Sequence, residues 1–168
     1  VSPDVKLGPG GIREIEFFAQ TQQLILGGRQ PELRDNSTLG ALAALTGAGV
    51  VERSTAEELE TAYLALRNLE HRVQMRRDEQ THTVPANEED RRDVAMLCGY
   101  EDLAAFDHDL QATRRCVQGH YDDLFAHEDR ALEESPLGNL VFTGVDDDPG
   151  TIETLASLGF SDPRAAIE

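Results

Sequence analysis

Apolar residues recur at spacings of three and four along most of this chain, which is the period of an amphipathic helix. One such stripe, which runs from Leu59 to Val73, predicts a long helix. No comparable alternation of apolar and polar residues predicts a sheet. We therefore expect an all-α fold, an antiparallel helical bundle with an acidic C-terminal extension. The most regular stripe, typical of a bundle seam, consists of Leu103, Phe106, Leu110, Thr113, Val117, Tyr121 and Leu124.

Turn and capping residues divide the chain into five predicted helices. Glycines at positions 27 and 28 end the first helix, and Gly47 and Gly49 close the second. Ser54 and Glu57 have the spacing of a capping box and are expected to open the third helix. Asn87 is a good cap for the fourth. The helices are expected at about 11–26, at 38–48, from 54 into the polar segment 76–85, at 88–98 and at 101–129.

Charge is distributed unevenly along the 168 residues. The formal net charge is −17, so no cationic surface is expected to bind nucleic acid. Residues 1–127 carry 13 Lys and Arg against 22 Asp and Glu, whereas residues 128–168 carry two against ten. This change predicts a helical bundle domain over 1–127, and an acidic linker with short helices over 128–168.

The composition also indicates a cellular context. No apolar run approaches the roughly 18 residues of a membrane span, so no membrane association is expected. Cys98 and Cys116 lack the spacing of a metal or redox motif and are interpreted as reduced thiols, which favours a cytoplasmic protein. Because Val1 is not an initiator methionine and a glycine turn follows at once, we expect the chain to be part of a longer protein.

A glycine-rich turn leads into the first helix. Gly8, Gly10 and Gly11 permit backbone angles that other residues avoid, and they allow close approach of another group. Such an entry into a helix can present free N–H groups to an anion. The alternative, which the residues alone favour, is a turn that lets two helices pack closely. No phosphate fingerprint fits, because Arg13 stands where the last glycine of GxGxxG is required.

Paired acidic residues do not form a convincing metal site. Asp107 and Asp109 resemble the aspartates that bind magnesium in nucleotidyl transferases. On a helix, however, residues two apart point about 200° away from each other, so a solvated helix face is the favoured interpretation. Residues 146–148 are three aspartates in a predicted turn, where helix capping is favoured.

The histidines and cysteines likewise predict no metal site. His120 and His127 lie seven positions apart, roughly 10 Å along a helix, which is too far for one ion. His127 and Asp123 could share an ion, but they supply only two ligands. Cys116 borders the seam of the fifth helix and is interpreted as a packing residue.

A strongly polar stretch surrounds the end of the third helix. One interpretation is a solvated helix terminus with arginines near its negative end. The other is a polar network that reaches a neighbouring domain. Its candidate members are Arg72, Gln74, Asp78, Gln80, Thr81 and His82.

Several of these segments together resemble one protein family. The segment DVKLGPGGIREIEFFAQ at 4–20, followed by GGR at 27–29, is similar to the glutamine synthetase adenylyltransferase/deadenylyltransferase family. So is DEQTHTVP at 78–85, and LVFTG at 140–144 with GFSDP at 159–163 resembles the segment that leaves the first catalytic half. The resemblance covers nearly the whole chain.

This resemblance implies a nucleotidyltransferase with two catalytic halves, each followed by a helical domain. Arg13 and Glu14 look like the first half, which removes AMP from glutamine synthetase by phosphorolysis. The parent enzyme would use magnesium and ATP or ADP. Its partners would be glutamine synthetase, the PII signal protein and an upstream nucleotidyltransferase domain of the same chain. The family's metal-binding aspartates lie upstream, so this fragment is expected to hold no catalytic residue, metal or cofactor.

The resemblance also suggests a role for the glycine turn. It would lie near the nucleotide cleft of the upstream domain, and we expect bulkier residues at Gly10 or Gly11 to reduce catalysis more than stability. A non-catalytic scaffold or docking bundle is the alternative function. The residues expected near the cleft are Lys6, Gly8, Gly10, Gly11, Arg13, Glu14 and Glu16.

Overall fold

A computed structural model describes residues 3–77 and 80–133, with backbone alone for residue 77 and for 127–133. Over these residues the fold is all-α, as predicted, and the one pairing of extended backbone is an isolated antiparallel bridge between Asp4 and Thr83. A 3-10 turn, Pro31–Leu33, follows the first helix. The α-helices are α1 (Ile12–Leu26), α2 (Thr38–Gly47), α3 (Arg53–Arg77), α4 (Glu88–Leu97) and α5 (Leu103–Glu133).

The chain divides into two compact units, Val1–Asp122 and Asp123–Glu168. The predicted boundary near residue 128 stays a prediction. The aspartates at 146–148 and the segments 140–144 and 159–163 lie outside the described residues. None of the described helices is both long enough and apolar enough to cross a membrane.

The core consists of the apolar stripes read from the sequence. Helix α1 packs on α2 and α3, and α4 packs on α3. Helices α3 and α5 run antiparallel, because Glu58 near the start of α3 contacts His120 far along α5. The buried members of the two long stripes are Leu59, Ala62, Leu66, Leu69 and Val73 on α3, and Phe106, Leu110 and Val117 on α5.

Side-chain caps define most helix starts. Ser37 Oγ accepts a hydrogen bond from the Gly40 amide at 3.0 Å, and Asn87 Oδ1 accepts from Glu89 at 2.9 Å. The predicted Asn87 cap is thereby confirmed. The predicted capping box at Ser54 is wrong, because α3 begins at Arg53 and Ser54 lies inside its first turn.

The segment 29–37, predicted as a polar loop, contains one fully buried side chain. Leu33 has no exposed surface and lies in the 3-10 turn. Gln23 of α1 fixes this turn by donating from Nε2 to the carbonyl oxygens of Leu33 and Asp35, at 2.6 and 2.9 Å. The turn therefore packs against α2 through Leu33 and is hydrogen-bonded to α1 through Gln23, while most of the other residues of 29–37 are exposed.

Candidate functional site

The segment before the glycine turn is paired with the segment after α3. The Val5 amide donates to the His82 carbonyl oxygen at 2.9 Å, and the Val84 amide donates to that of Pro3 at 3.0 Å. Val5 and Val84 are both fully buried. The two motifs that resemble the same family, at 4–20 and 78–85, therefore lie side by side in the fold.

The amides of the glycine turn are occupied by groups of the protein itself. The Gly10 amide donates to Glu14 Oε2 at 2.8 Å, so the glutamate reaches back over the turn. The next four amides donate to backbone carbonyl oxygens of the turn, at distances between 2.9 and 3.1 Å. These are Gly11 to Gly8, Ile12 to Val5, Arg13 to Lys6 and Glu14 to Gly11. An anion could bind at this helix start only by displacing these acceptors.

The glycines face the interior of the bundle. Gly10 has a φ of 69°, and a Cβ atom there would lie 2.1 Å from the carbonyl oxygen of Arg114 on α5. At Gly11 it would lie 2.7 Å from the carbonyl oxygen of Gly8. Both glycines are buried, so the packing interpretation accounts for them. The expectation that bulkier residues at Gly10 or Gly11 reduce catalysis more than stability stays a prediction. At Gly10, both the backbone angle and the close contact with Arg114 require glycine.

The charged residues of the turn divide between the surface and the interior. The Arg13 side chain is 52% exposed, lies 3.9 Å from Glu16, and stacks over the Phe17 ring at 5.5 Å from its centroid. Lys6 points the other way, towards Glu70 of α3, at 3.3 Å. Arg13 is the most exposed of these three side chains, since those of Lys6 and Glu16 are 31% and 24% exposed.

Glu70 is the centre of a buried polar cluster that joins three parts of the chain. Its side chain is 2% exposed, and its carboxylate contacts Lys6 Nζ, Arg67 Nη1 and His82 Nδ1. The His82 contact is 2.9 Å long but lacks the angle of a good hydrogen bond, so it is an electrostatic contact. The predicted polar network has His82 as a candidate member, whereas Glu70 begins the same polar stretch but is not among the candidates.

The other predicted members of that network differ in their contacts and in their exposure to solvent. Arg72 Nη1 lies 3.9 Å from the Met75 sulfur, and its buried Nε has no partner among the described residues. Thr81 Oγ1 accepts from the Thr83 amide at 3.3 Å. Gln74 is half-buried and Gln80 is exposed, while Asp78 lies outside the described residues. Whether this segment reaches a neighbouring domain stays a prediction.

The two aspartates of α5 contact different partners. Asp107 Oδ1 accepts from Arg91 of α4, with the two side chains 2.6 Å apart at their closest. Asp109 Oδ2 accepts from the Tyr100 hydroxyl at 3.1 Å. Burial and, second, this carboxylate raise the pKa of Tyr100. As the helical spacing predicted, the pair does not converge on one point.

A polar contact joins α3 to α5 at Cys116, which the sequence predicts to be a packing residue. Glu58 Oε2 lies 2.7 Å from His120 Nε2, and Cys116 Sγ donates to the same oxygen at 3.5 Å. The hydrogen bond from His120, followed by that from Cys116, lowers the pKa of Glu58. Burial, followed by Glu58, raises the pKa of the Cys116 thiol. Sequence reasoning missed this group because Glu58 lies 58 positions before Cys116.

Comparison with known proteins gives a consistent result. A family model described as GlnD PII-uridylyltransferase matches residues 1–125. Relatives named bifunctional glutamine synthetase adenylyltransferase/adenylyl-removing enzyme are 52% identical in Agrobacterium fabrum, 51% in Rhizobium meliloti and 54% in Caulobacter vibrioides. The matches cover 96%, 95% and 96% of this chain. They cover 16% of each relative, so the chain spans about one sixth of the length of these enzymes.

Proposed function

The chain belongs to the family described as GlnD PII-uridylyltransferase, and we propose that it is a helical domain of a glutamine synthetase adenylyltransferase/adenylyl-removing enzyme. The observation that carries the proposal is the identity of about one half over almost the whole chain. The parent enzyme attaches AMP to a tyrosine of glutamine synthetase and removes it by phosphorolysis. This domain follows the first, adenylyl-removing half.

The domain acts in this enzyme without holding the nucleotide-bound metal itself. The described residues do not fit a magnesium–nucleotide site, since Asp107 and Asp109 diverge on α5 and are hydrogen-bonded to Arg91 and Tyr100. Magnesium and ATP or ADP are held by the upstream nucleotidyltransferase domain of the parent. The isolated chain is therefore inactive.

The domain presents the outer face of α1 to that upstream domain. Arg13, Phe17 and Leu24 lie at helical spacing on this face, and the two apolar side chains are 46% and 83% exposed. The inner face of the helix packs on α2 and α3. A rigid helix with exposed charge and apolar surface suits a contact between domains. Arg13 is placed by this contact at the edge of the nucleotide cleft.

A scaffold that binds glutamine synthetase or the PII signal protein is the second candidate. The internal position of Gly10 and Gly11 favours it, because these glycines then serve the packing of the bundle and no ligand. Both candidate functions include the contact between α1 and the upstream domain. They differ in whether Arg13 affects the reaction.

The test is phosphate-dependent deadenylylation of adenylylated glutamine synthetase. The reaction is compared for the upstream domain alone, this chain alone, and the two joined in one polypeptide. We expect activity only in the joined protein. Full activity of the upstream domain alone would overturn the proposal, and activity of this chain alone would overturn its assignment as inactive.

A further inference from the structure

Three potential metal ligands converge on the outer side of the contact between α3 and α5. They are Glu58 of α3 and Cys116 and His120 of α5. Glu58 Oε2 lies 2.7 Å from His120 Nε2 and 3.5 Å from Cys116 Sγ. All three donor atoms lie within 4.8 Å of one another.

The spacing of Cys116 and His120 places both side chains on one face of α5. Residues four positions apart lie one turn above each other on a helix, which lets them bind the same ion. Glu58 approaches this pair from α3, 62 residues before His120. The site is thus formed by the fold and leaves no motif in the sequence.

The combination of donors is specific to one class of metal ion. A thiolate, an imidazole and a carboxylate are the ligands that Zn²⁺ takes at about 2.0–2.3 Å. In a tetrahedral site with such bond lengths, neighbouring donor atoms lie roughly 3.3–3.6 Å apart. The observed spacing of Glu58 and Cys116 falls in this range, whereas the 2.7 Å between Glu58 and His120 would lengthen on binding through a rotation of Glu58. A hard cation such as Mg²⁺ would not be held by the thiolate and imidazole.

The cluster is accessible to an ion from solvent. A groove of about 510 Å³, lined by Glu58, Thr61 and Cys116 among others, opens beside it. The His120 side chain is 22% exposed and that of Glu58 is 56% exposed. A fourth ligand position therefore faces water, as in sites with three protein ligands.

We propose that Glu58, Cys116 and His120 bind one Zn²⁺ ion, which ties α3 to α5. On binding, the Cys116 thiol forms a sulfur–zinc bond and releases its proton to solvent. Since only the folded chain brings the three residues together, the bound ion stabilises the folded bundle. The inference stands independently of the proposed enzymatic function.

The test is a titration of the reduced, metal-free 168-residue chain with Co²⁺, an optical probe for such sites, followed by Zn²⁺. We expect one Co²⁺ per chain with the near-ultraviolet absorption of a cobalt–thiolate bond, and loss of this absorption when Zn²⁺ displaces Co²⁺. Cys116→Ser should abolish the absorption. Cys98→Ser, which removes the other thiol, should leave it unchanged. Absence of the band in the unaltered chain, or its survival in Cys116→Ser, would overturn the proposal.

Two further variants separate a built site from a thiol that captures metal alone. His120→Gln and Glu58→Gln keep Cys116 and should weaken Zn²⁺ binding by roughly 10-fold or more, since even outer-shell changes cost about that much. His108→Gln, at an exposed histidine of the same helix, is the control and should bind as the unaltered chain does. Unchanged affinity in both His120→Gln and Glu58→Gln would refute the three-ligand site. These variants also test the site if Cys116→Ser fails to fold, which circular dichroism would report.

Discussion

Arg114 on α5 donates two hydrogen bonds to the carbonyl oxygen of Pro9, at 3.0 Å from Nε and 2.8 Å from Nη2. The two residues are 105 positions apart, so this contact attaches the turn before the first helix to the last helix of the bundle. The backbone of Arg114 also fills the space beside Gly10. The glycine turn is thus packed directly against α5.

Gly10→Ala should therefore destabilise the bundle. The added Cβ meets the Arg114 carbonyl oxygen, and the φ of 69° is strained for alanine. The two effects, each of about 1–3 kcal/mol, should together lower the free energy of unfolding, measured by urea denaturation, by roughly 2–6 kcal/mol. Gly28→Ala is the matched control, because its Cβ would meet nothing within 4 Å. Equal stability of the two variants would contradict the packing role.

Leu66→Ala tests the seam between α3 and α5. Leu66 is 1% exposed, whereas Leu64, two positions earlier on the same helix, is 52% exposed. Truncating Leu66 should lower the free energy of unfolding by about 2–5 kcal/mol, and truncating Leu64 by less than about 0.5 kcal/mol. A loss below about 1 kcal/mol for Leu66→Ala would mean that the stripe is not core.

Glu70→Gln tests the buried cluster. Without the negative charge, Lys6 and Arg67 lose their buried carboxylate partner, although both cations are partly exposed and can be hydrated. The free energy of unfolding should fall by about 1–3 kcal/mol. Glu88→Gln removes the carboxylate of an exposed ion pair with Arg92 and should change it by less than about 1 kcal/mol. If both variants behaved alike, the contacts of Glu70 would be ordinary surface ion pairs.

The Tyr100 phenol should ionise at higher pH than an ordinary tyrosine, because burial and Asp109 both disfavour the phenolate. Since this pKa is raised on folding, the associated stability is complete below the unfolded value of about 10 and falls as the pH rises above it. Tyrosinate absorbance in a Tyr63→Phe, Tyr121→Phe background measures this pKa. Asp109→Asn should lower it and Asp107→Asn should not. An ordinary pKa in the unaltered Tyr100 would contradict the expectation.

The helices could be predicted because their causes are local. The stripe from Leu59 to Val73 and the cap at Asn87 each depend on residues within a few turns, and both appear in the structure. Helix α3 begins at Arg53, one residue before the predicted start, because Ser54 and Glu57 match a capping box that the backbone does not use. Local patterns therefore predict the elements, with small errors at their ends.

The polar contacts could not be predicted in the same way, since each joins distant positions. Glu70 contacts Lys6, which precedes α1, and His82, which follows α3. Neither residue lies at a sequence spacing from Glu70 that forms a recognisable motif. Glu58 and His120 likewise come together only through the packing of α3 on α5. The polarity of the 70–82 stretch indicated a network, but only the fold identifies its centre.

The catalytic and scaffold functions predict different roles for Arg13, because only the catalytic function requires this residue for the reaction. Its guanidinium is always charged and can hold a phosphate or carboxylate through paired hydrogen bonds. Within this bundle its contacts are weak, namely a 3.9 Å ion pair with Glu16 and a stacking contact with Phe17. Arg13→Ala should therefore lower the stability of the bundle by less than about 1 kcal/mol.

In the parent enzyme the same substitution should slow phosphate-dependent deadenylylation. A lost hydrogen bond between charged groups, about 1.5–3 kcal/mol, corresponds to roughly a 10- to 100-fold lower kcat/KM. Arg53→Ala, at the exposed start of α3, is the matched control and should change neither stability nor turnover. If Arg13→Ala folds normally and leaves turnover unchanged, the face of α1 serves packing alone. The scaffold function would then be correct, because the glycines of the turn already serve the contact with Arg114.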